Sequence, residues 1–253
     1  MAKYFYIITI FISLLFFSAC VPTQEDVRNA LQTNSATSLK KDAKNLQKLI
    51  VKFKEKLDKR NPNNFSKKLE TKIYDSIKNS NKNLYIKYKH NVLDNYKDYL
   101  QIAFSKDEIF HRNDYLVLGL HYLVEYSYEI PKGHRVTALE YDKKKLDKLY
   151  KNLQIIKWKI KVDKDLKGDY LFLTWQNNWQ IELAKKLKSN EKLSYEEIQQ
   201  LKFIKNKKET IQDPSNFSFE IILTQMIDSV KNSLQSLGEE PKELTVKAMF
   251  LFL

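Results

Sequence analysis

Four ionisable side chains fall on one stripe of the stretch KDEIFHRNDYLVLGLHYLVEYSYE, residues 106–129. At about 100° per helical residue, with His111 at zero, Asp114 lies near 300°, His121 near 280° and Glu125 near 320°. Leu116, Leu120, Leu123 and Val124 fall between about 120° and 220° on the same wheel, so the polar and apolar groups separate. His, Asp and Glu are suitable ligands for zinc, iron or manganese, and Glu108 with His111 supplies one Glu-x-x-His pair. A di-metal bundle needs a second such pair on another helix, and the sequence has none. No cofactor is therefore expected. The stripe reads first as a solvated or inter-helix hydrogen-bonded face, with His121 and Glu125 in an i, i+4 contact worth about 0.2–0.5 kcal/mol. A metal-dependent enzyme using His111, Asp114, His121 and Glu125 stands third among the functional readings.

A second constellation is TWQNNWQ at 174–180. On a helix Trp175 and Trp179 share a face one turn apart, and Gln176, Asn177, Asn178 and Gln180 surround them with uncharged donors and acceptors. Indole planes stack on sugar rings while amides take hydroxyls, so these residues are candidate contacts for peptidoglycan or another glycan. Core packing and a protein interface are the competing uses of such a pair. The 15 Tyr and 14 Phe read as half-exposed seams between helices, or as a groove for a peptide or partner helix. Gly-x-Ser-x-Gly, a phosphate loop, His-Glu-x-x-His and a dinucleotide fingerprint are all missing, so an enzyme of a common class is not expected and no residue is assigned a catalytic role.

The elements that would position these residues are helical. With Gly 4 and Pro 5 in 253 residues, the chain has few of the turn formers that an all-β fold needs. From Ser38 the positions Leu39, Ala43, Leu46, Ile50, Phe53 and Leu57 step by four and three, an amphipathic helix broken by NPNN at 61–64. Phe65, Leu69, Ile73 and Ile77 begin a second helix, and Tyr85, Tyr88, Val92, Tyr96, Tyr99 and Ala103 a third with a tyrosine seam. Ser105 and Glu108 form a capping box opening the helix that Pro131 and Gly133 end. Thr137 with Glu140 repeats the box ahead of Leu146, Leu149, Leu153, Ile156 and Ile160. A helix after Gly168 carries Leu171, Trp175, Trp179 and Leu183, and Ser194 with Glu197 caps a shorter one. DPSN at 213–216 starts the last long helix, which Gly238 stops. Pro241 begins a final helical segment ending AMFLFL, apolar enough to pack back onto the bundle or meet a partner or membrane. No fixed repeat period is present.

The one cysteine sits at position 20, behind Lys3, an almost wholly apolar run at 4–17, and the small residues Ser18 and Ala19. The run is short for a membrane-spanning helix, which needs about 20 apolar residues, and suits the core of an export signal. This arrangement resembles the bacterial lipoprotein signal, whose lipobox is an aliphatic residue, two small residues and a cysteine; Phe17 stands where Leu is usual. The resemblance covers residues 1–20. It implies cleavage before Cys20, lipid attachment there, and a body anchored in the cell envelope facing the periplasm. Val21, in place of the Asp that retains some such proteins at the inner membrane, favours the outer one. The remaining chain has no cysteine for a disulfide or a thiolate zinc site.

The net charge of +13 raises the question of nucleic acid, and the cation types answer it. Of 44 cationic side chains only Arg28, Arg60, Arg112 and Arg135 are arginine, the residue whose planar fork reads bases and clamps phosphates. With an export signal as well, nucleic acid is not an expected partner. The expected protein is all-α, an irregular bundle of about eight helices behind a lipoprotein signal peptide and short tether: signal 1–19, lipidated Cys20 and tether 20–37, one helical domain 38–253. Its expected work is non-catalytic, as an interaction or structural component of an envelope assembly with a protein partner, peptidoglycan being the alternative. Cys20→Ser is expected to abolish incorporation of an alkyne-tagged palmitate in cells, read by in-gel fluorescence; undiminished label on the variant would deny the cysteine its role.

Overall fold

The computed structural model describes residues 33–79, 82–133, 135–176, 178–189, 193–205 and 214–245. Cys20, the signal, Asn177 and the AMFLFL segment lie outside them, as does most of the expected tether. The chain is predominantly helical. Helix α1 (Asn34–Arg60) starts four residues inside the expected tether because Thr33 supplies the cap, its hydroxyl accepting from the Ala36 N–H. Helix α2 is Glu70–Lys78, and a two-residue antiparallel pair follows, β1 (Lys87–Tyr88) with β2 (Asn91–Val92), in register Lys87 to Val92 and Tyr88 to Asn91. Helices α3 (Tyr96–Ala103), α4 (Arg112–Tyr128) and α5 (Lys143–Val162) come next, then three short ones, α6 (Asn178–Ser189), α7 (Tyr195–Gln199) and α8 (Lys202–Lys205), and finally α9 (Pro214–Ser236). Gly238, at φ 76°, ends α9 as expected, with the Glu239 N–H reaching back to the Leu234 carbonyl.

Helix α4 is the axle of the fold. It packs against α1, α2, α3 and α5, and every residue in it except Tyr126 is buried. Helix α9 lies across α1 and α5 and closes the other side of the core. A hydroxyl chain ties three of these helices: the phenol of Tyr128 meets Ser233 Oγ at 2.8 Å, and Ser233 donates to Asp42 at 2.8 Å. Among the described residues no helix is long and apolar enough to cross a membrane.

Four expectations are corrected. The tyrosine-seamed helix from Tyr85 does not form before Tyr96. The phenols that look like a helix seam instead satisfy backbone groups of the 84–93 segment: Tyr99 accepts from Ile86 and donates to Leu93, each at 3.0 Å, while Tyr122 accepts from Leu84 at 2.9 Å and donates to the same residue at 2.7 Å. Ser105 caps no helix, since α4 begins seven residues later. Its hydroxyl pairs with Asp107, and the Arg112 guanidinium gathers the carbonyls of Ala103, Ser105 and Asp107, winding 103–107 into a loop. The Thr137–Glu140 box opens a single 3₁₀ turn, Ala138–Glu140, and Asp142 caps α5 in its place. Of the segment expected to be helical from Pro241, the described residues 241–245 are irregular and held to α5 by Leu244 N–H on Gln154 Oε1 at 2.8 Å.

Close approach of α3 to α4 depends on Gly119. A Cβ there would lie 2.8 Å from Leu100 Cδ2 and 3.2 Å from Tyr99 Cβ, and the second neighbour is fixed to its backbone. Gly119→Val is expected to cost roughly 2–3 kcal/mol by overpacking, read as a lower urea midpoint at unchanged m.

Candidate functional site

The four residues expected on one polar stripe part company in the fold. His111 is exposed and sits at the left-handed residue before α4, φ 58°, outside the helix whose face it was expected to share. Asp114 is fully buried one turn in, with Lys54 Nζ at 2.9 Å and the Ser66 N–H at 2.8 Å. The same ammonium contacts Asp58 at 2.7 Å and lies over the rings of Phe65 and Tyr74, 5.2 and 5.8 Å from their centroids. Asn113 completes this knot by donating to Asp58 at 2.9 Å. Burial raises the Asp58 carboxyl above its usual range, with the Lys54 and Asn113 hydrogen bonds acting against it. Lys54 was legible as a core position, since it follows Ile50 by four and precedes Leu57 by three, but its type made it look like surface filler.

His121 and Glu125 do stay together, two turns further along α4. His121 Nε2 is 3.5 Å from Glu125 Oε1, the ring is wholly enclosed, and neither ring nitrogen nor that oxygen has a hydrogen-bond partner among the described residues. Desolvation pushes the imidazole down to about 4 and the carboxyl up to about 7. At neutral pH the pair therefore holds a neutral imidazole beside a carboxyl poised between acid and carboxylate.

Glu125 lines a cleft of about 730 Å³ at the junction of α4, α5 and the 82–97 segment. Its aromatic walls are Tyr85, Tyr96, Tyr122 and Tyr126. Tyr85 stacks on Tyr122 at 5.7 Å between centroids and 23° between planes, and Tyr96 leans on Tyr126 at 5.4 Å and 41°. Glu129, the left-handed residue ending α4 at φ 50°, contributes a second carboxylate, bound to Arg135 Nη2 at 2.7 Å and to Lys145 Nζ at 2.6 Å. Tyrosine abundance points toward a groove; that the 82–95 loop forms one wall of it does not show in the sequence, because Tyr85, Tyr88 and Val92 fall at helical spacing.

The tryptophan pair is not one helical face. Trp175 precedes α6, in a segment where Asn61 bonds both backbone groups of Leu173, at 3.0 and 3.2 Å, and Gln176 Oε1 takes the Thr174 N–H at 2.9 Å. These bonds hold 171–176 out of a helix. The indole N–H of Trp175 donates to Glu220 at 3.2 Å, its ring meets Phe219 at 6.4 Å, and Lys161 lies over it at 5.6 Å. Trp179 is half-buried within α6. An indole held in this way is a packed side chain with little face left for a sugar.

Among the described residues no group of three or more His, Cys, Asp or Glu is placed to hold a metal ion. Comparison of the chain with protein-family models, curated proteins and solved structures yields no match, so the geometry carries the functional argument.

The His121–Glu125 pair has a signature in stability. Glu125, raised from 4.5 to about 7, contributes stability that is complete below pH 4.5 and lost as pH rises through 7; His121, lowered from 6.5 to about 4, contributes stability that is complete above pH 6.5 and lost as pH falls through 4. Glu125→Gln removes the first effect and keeps the second. Relative to the wild type, the variant is expected to gain on the order of 3 kcal/mol between pH 4.5 and pH 8 in urea unfolding, a comparison in which all other titrating groups cancel.

Proposed function

We propose that this chain is an envelope lipoprotein, anchored through lipid on Cys20, that works without catalysis as a component of a protein assembly and engages its partner through the tyrosine-lined cleft. The observation that carries this reading is the cleft itself. Tyr85 and Tyr126 are 45% and 49% exposed in it, beside the buried carboxyl of Glu125, whose Oε1 has no hydrogen-bond partner among the described residues. Tyrosine supplies large, stiff contact area with a polar tip, which is why it anchors protein interfaces. The lysine-rich remainder of the surface suits a body held close to anionic lipid, at about 1 kcal/mol per well-placed Lys near the membrane. The glycan reading has less support, since the indole of Trp175 is engaged by Glu220, Phe219 and Lys161.

The experiment is site-specific photo-crosslinking in living cells, with a photoreactive amino acid replacing Tyr85 and, as a control, Leu166, which is 77% exposed and outside the cleft lining. A discrete adduct from position 85 and none from 166 is the expected outcome. Cosedimentation with peptidoglycan that a folded Trp175→Ala/Trp179→Ala variant loses, together with no adduct at 85, would replace this reading by the glycan one.

A further inference from the structure

Several ammonium groups among the described residues are held by the same device, a carboxylate together with an aromatic face, Lys67 and Lys159 among them. Lys54 is one, between Asp58 and Asp114 and over Phe65 and Tyr74. Lys145 is another, and it lies in the cleft: its Nζ is 2.6 Å from Glu129 Oε1 and 4.9 Å from the Tyr126 centroid. Coulomb attraction and the negative face of the ring act together there, and each is strengthened by partial removal of water.

The other half of the cleft repeats this device without its cation. Glu125 is buried in the lining it shares with Tyr96 and with Tyr122, on which Tyr85 stacks, and its one ionic contact among the described residues is His121 rather than an ammonium or guanidinium. A carboxyl group buried to nine-tenths, with Oε1 against His121 and without a hydrogen bond, is a costly arrangement that a ligand's N–H would relieve at the other oxygen. The local charge does not oppose a cation as the chain average would. In the lining Asp94, Glu125 and Glu129 match Lys97, Lys145 and Lys148, against a net charge of +13 for the whole chain. An ammonium is the group that the matching half of the cleft already holds, where Lys145 sits between Glu129 and the Tyr126 ring.

We infer that the Glu125 half of the cleft, with Tyr85, Tyr96 and Tyr122, is a receptor for a primary ammonium group, delivered as a lysine side chain of the protein partner. This rests on the partner reading above and names the group that the partner inserts. In the complex the ammonium donates to Glu125 and lies against Tyr122, completing the arrangement that Lys145 makes with Glu129 and Tyr126.

The test is a chemical-shift titration of the full chain in detergent with n-butylammonium chloride, with n-butanol and sodium chloride as controls. Saturable shifts at Tyr85 and Tyr122 are expected with butylammonium. Butanol should bind at least tenfold more weakly, and so should butylammonium to Glu125→Gln, whose fold is checked by circular dichroism. Tyr85→Ala, a change at a half-exposed ring, is expected to weaken binding severalfold while leaving the core intact. Absence of saturable shifts, an equal response to butanol, or undiminished binding by folded Glu125→Gln would each overturn the assignment. The two readings fail separately: an adduct at position 85 that persists in Glu125→Gln cells, with butylammonium silent, sinks the ammonium receptor alone, and butylammonium binding with no adduct sinks the protein partner alone.

Discussion

The ammonium of Lys54 is enclosed where no water reaches it, and the surrounding architecture follows from that constraint. A buried cation is tolerated only when carboxylates and further donors are placed around it, since desolvation costs several kcal/mol per ion. Asp58 comes from the same helix, but Asp114 comes from α4 and is itself fixed by the Ser66 N–H, while Asn113 binds Asp58 and, through its own N–H, the Asn64 carbonyl. Asn61 extends the knot to Leu173. One ion thus sets the register of α1 against α4, the path of the 61–66 turn and the seat of the 171–174 segment. Hydrophobic contact alone, being non-directional, would allow α1 and α4 to slide.

Helix α4 consequently has two unlike ends. At its N-terminal end Asp114 and the amide N–H of Asn113 are paired into the Lys54 knot. Toward the C-terminal end both ring nitrogens of His121 and Oε1 of Glu125 are buried without a hydrogen bond among the described residues, and Glu129 is held in a left-handed conformation by ion pairs to Arg135 and Lys145. Unrelieved desolvation and backbone strain gather at sites that meet ligands, because a bound group recovers there what folding leaves unsatisfied. Both features border one cleft, and the tyrosines around it give any occupant aromatic faces as well as phenolic tips.

Much of the helical frame was legible. The four-and-three spacing in α1, α5 and α9 marks one buried stripe each, and such long amphipathic patterns report burial because only one face of a helix can be covered. The stripe from His111 to Glu125 was legible only as a period. Its members share an orientation on the wheel, yet Asp114 meets Lys54 of α1 while Glu125 lines the cleft and His121 is enclosed, since a helix buried all round has no single polar face. Tyrosines at helical spacing misled for a related reason: Tyr99 and Tyr122 belong to helices, but their hydroxyls serve the backbone of the 84–93 segment, and spacing carries no information about where a phenol will find its acceptor.

By itself the sequence determined a helical class, the placement of three long helices and their stops, and the absence of cysteine after position 20. These depend on local periodicity, capping and composition, which act within one or two turns of chain. Tertiary structure alone decided which polar groups are paired, that Trp175 is pinned outside α6, and that a loop once read as helix walls a cleft around Glu125. Those outcomes depend on contacts such as Lys54 with Asp114 and Asn61 with Leu173, whose partners are 60 and 112 residues apart, and burial fixes their energies only after the fold has closed.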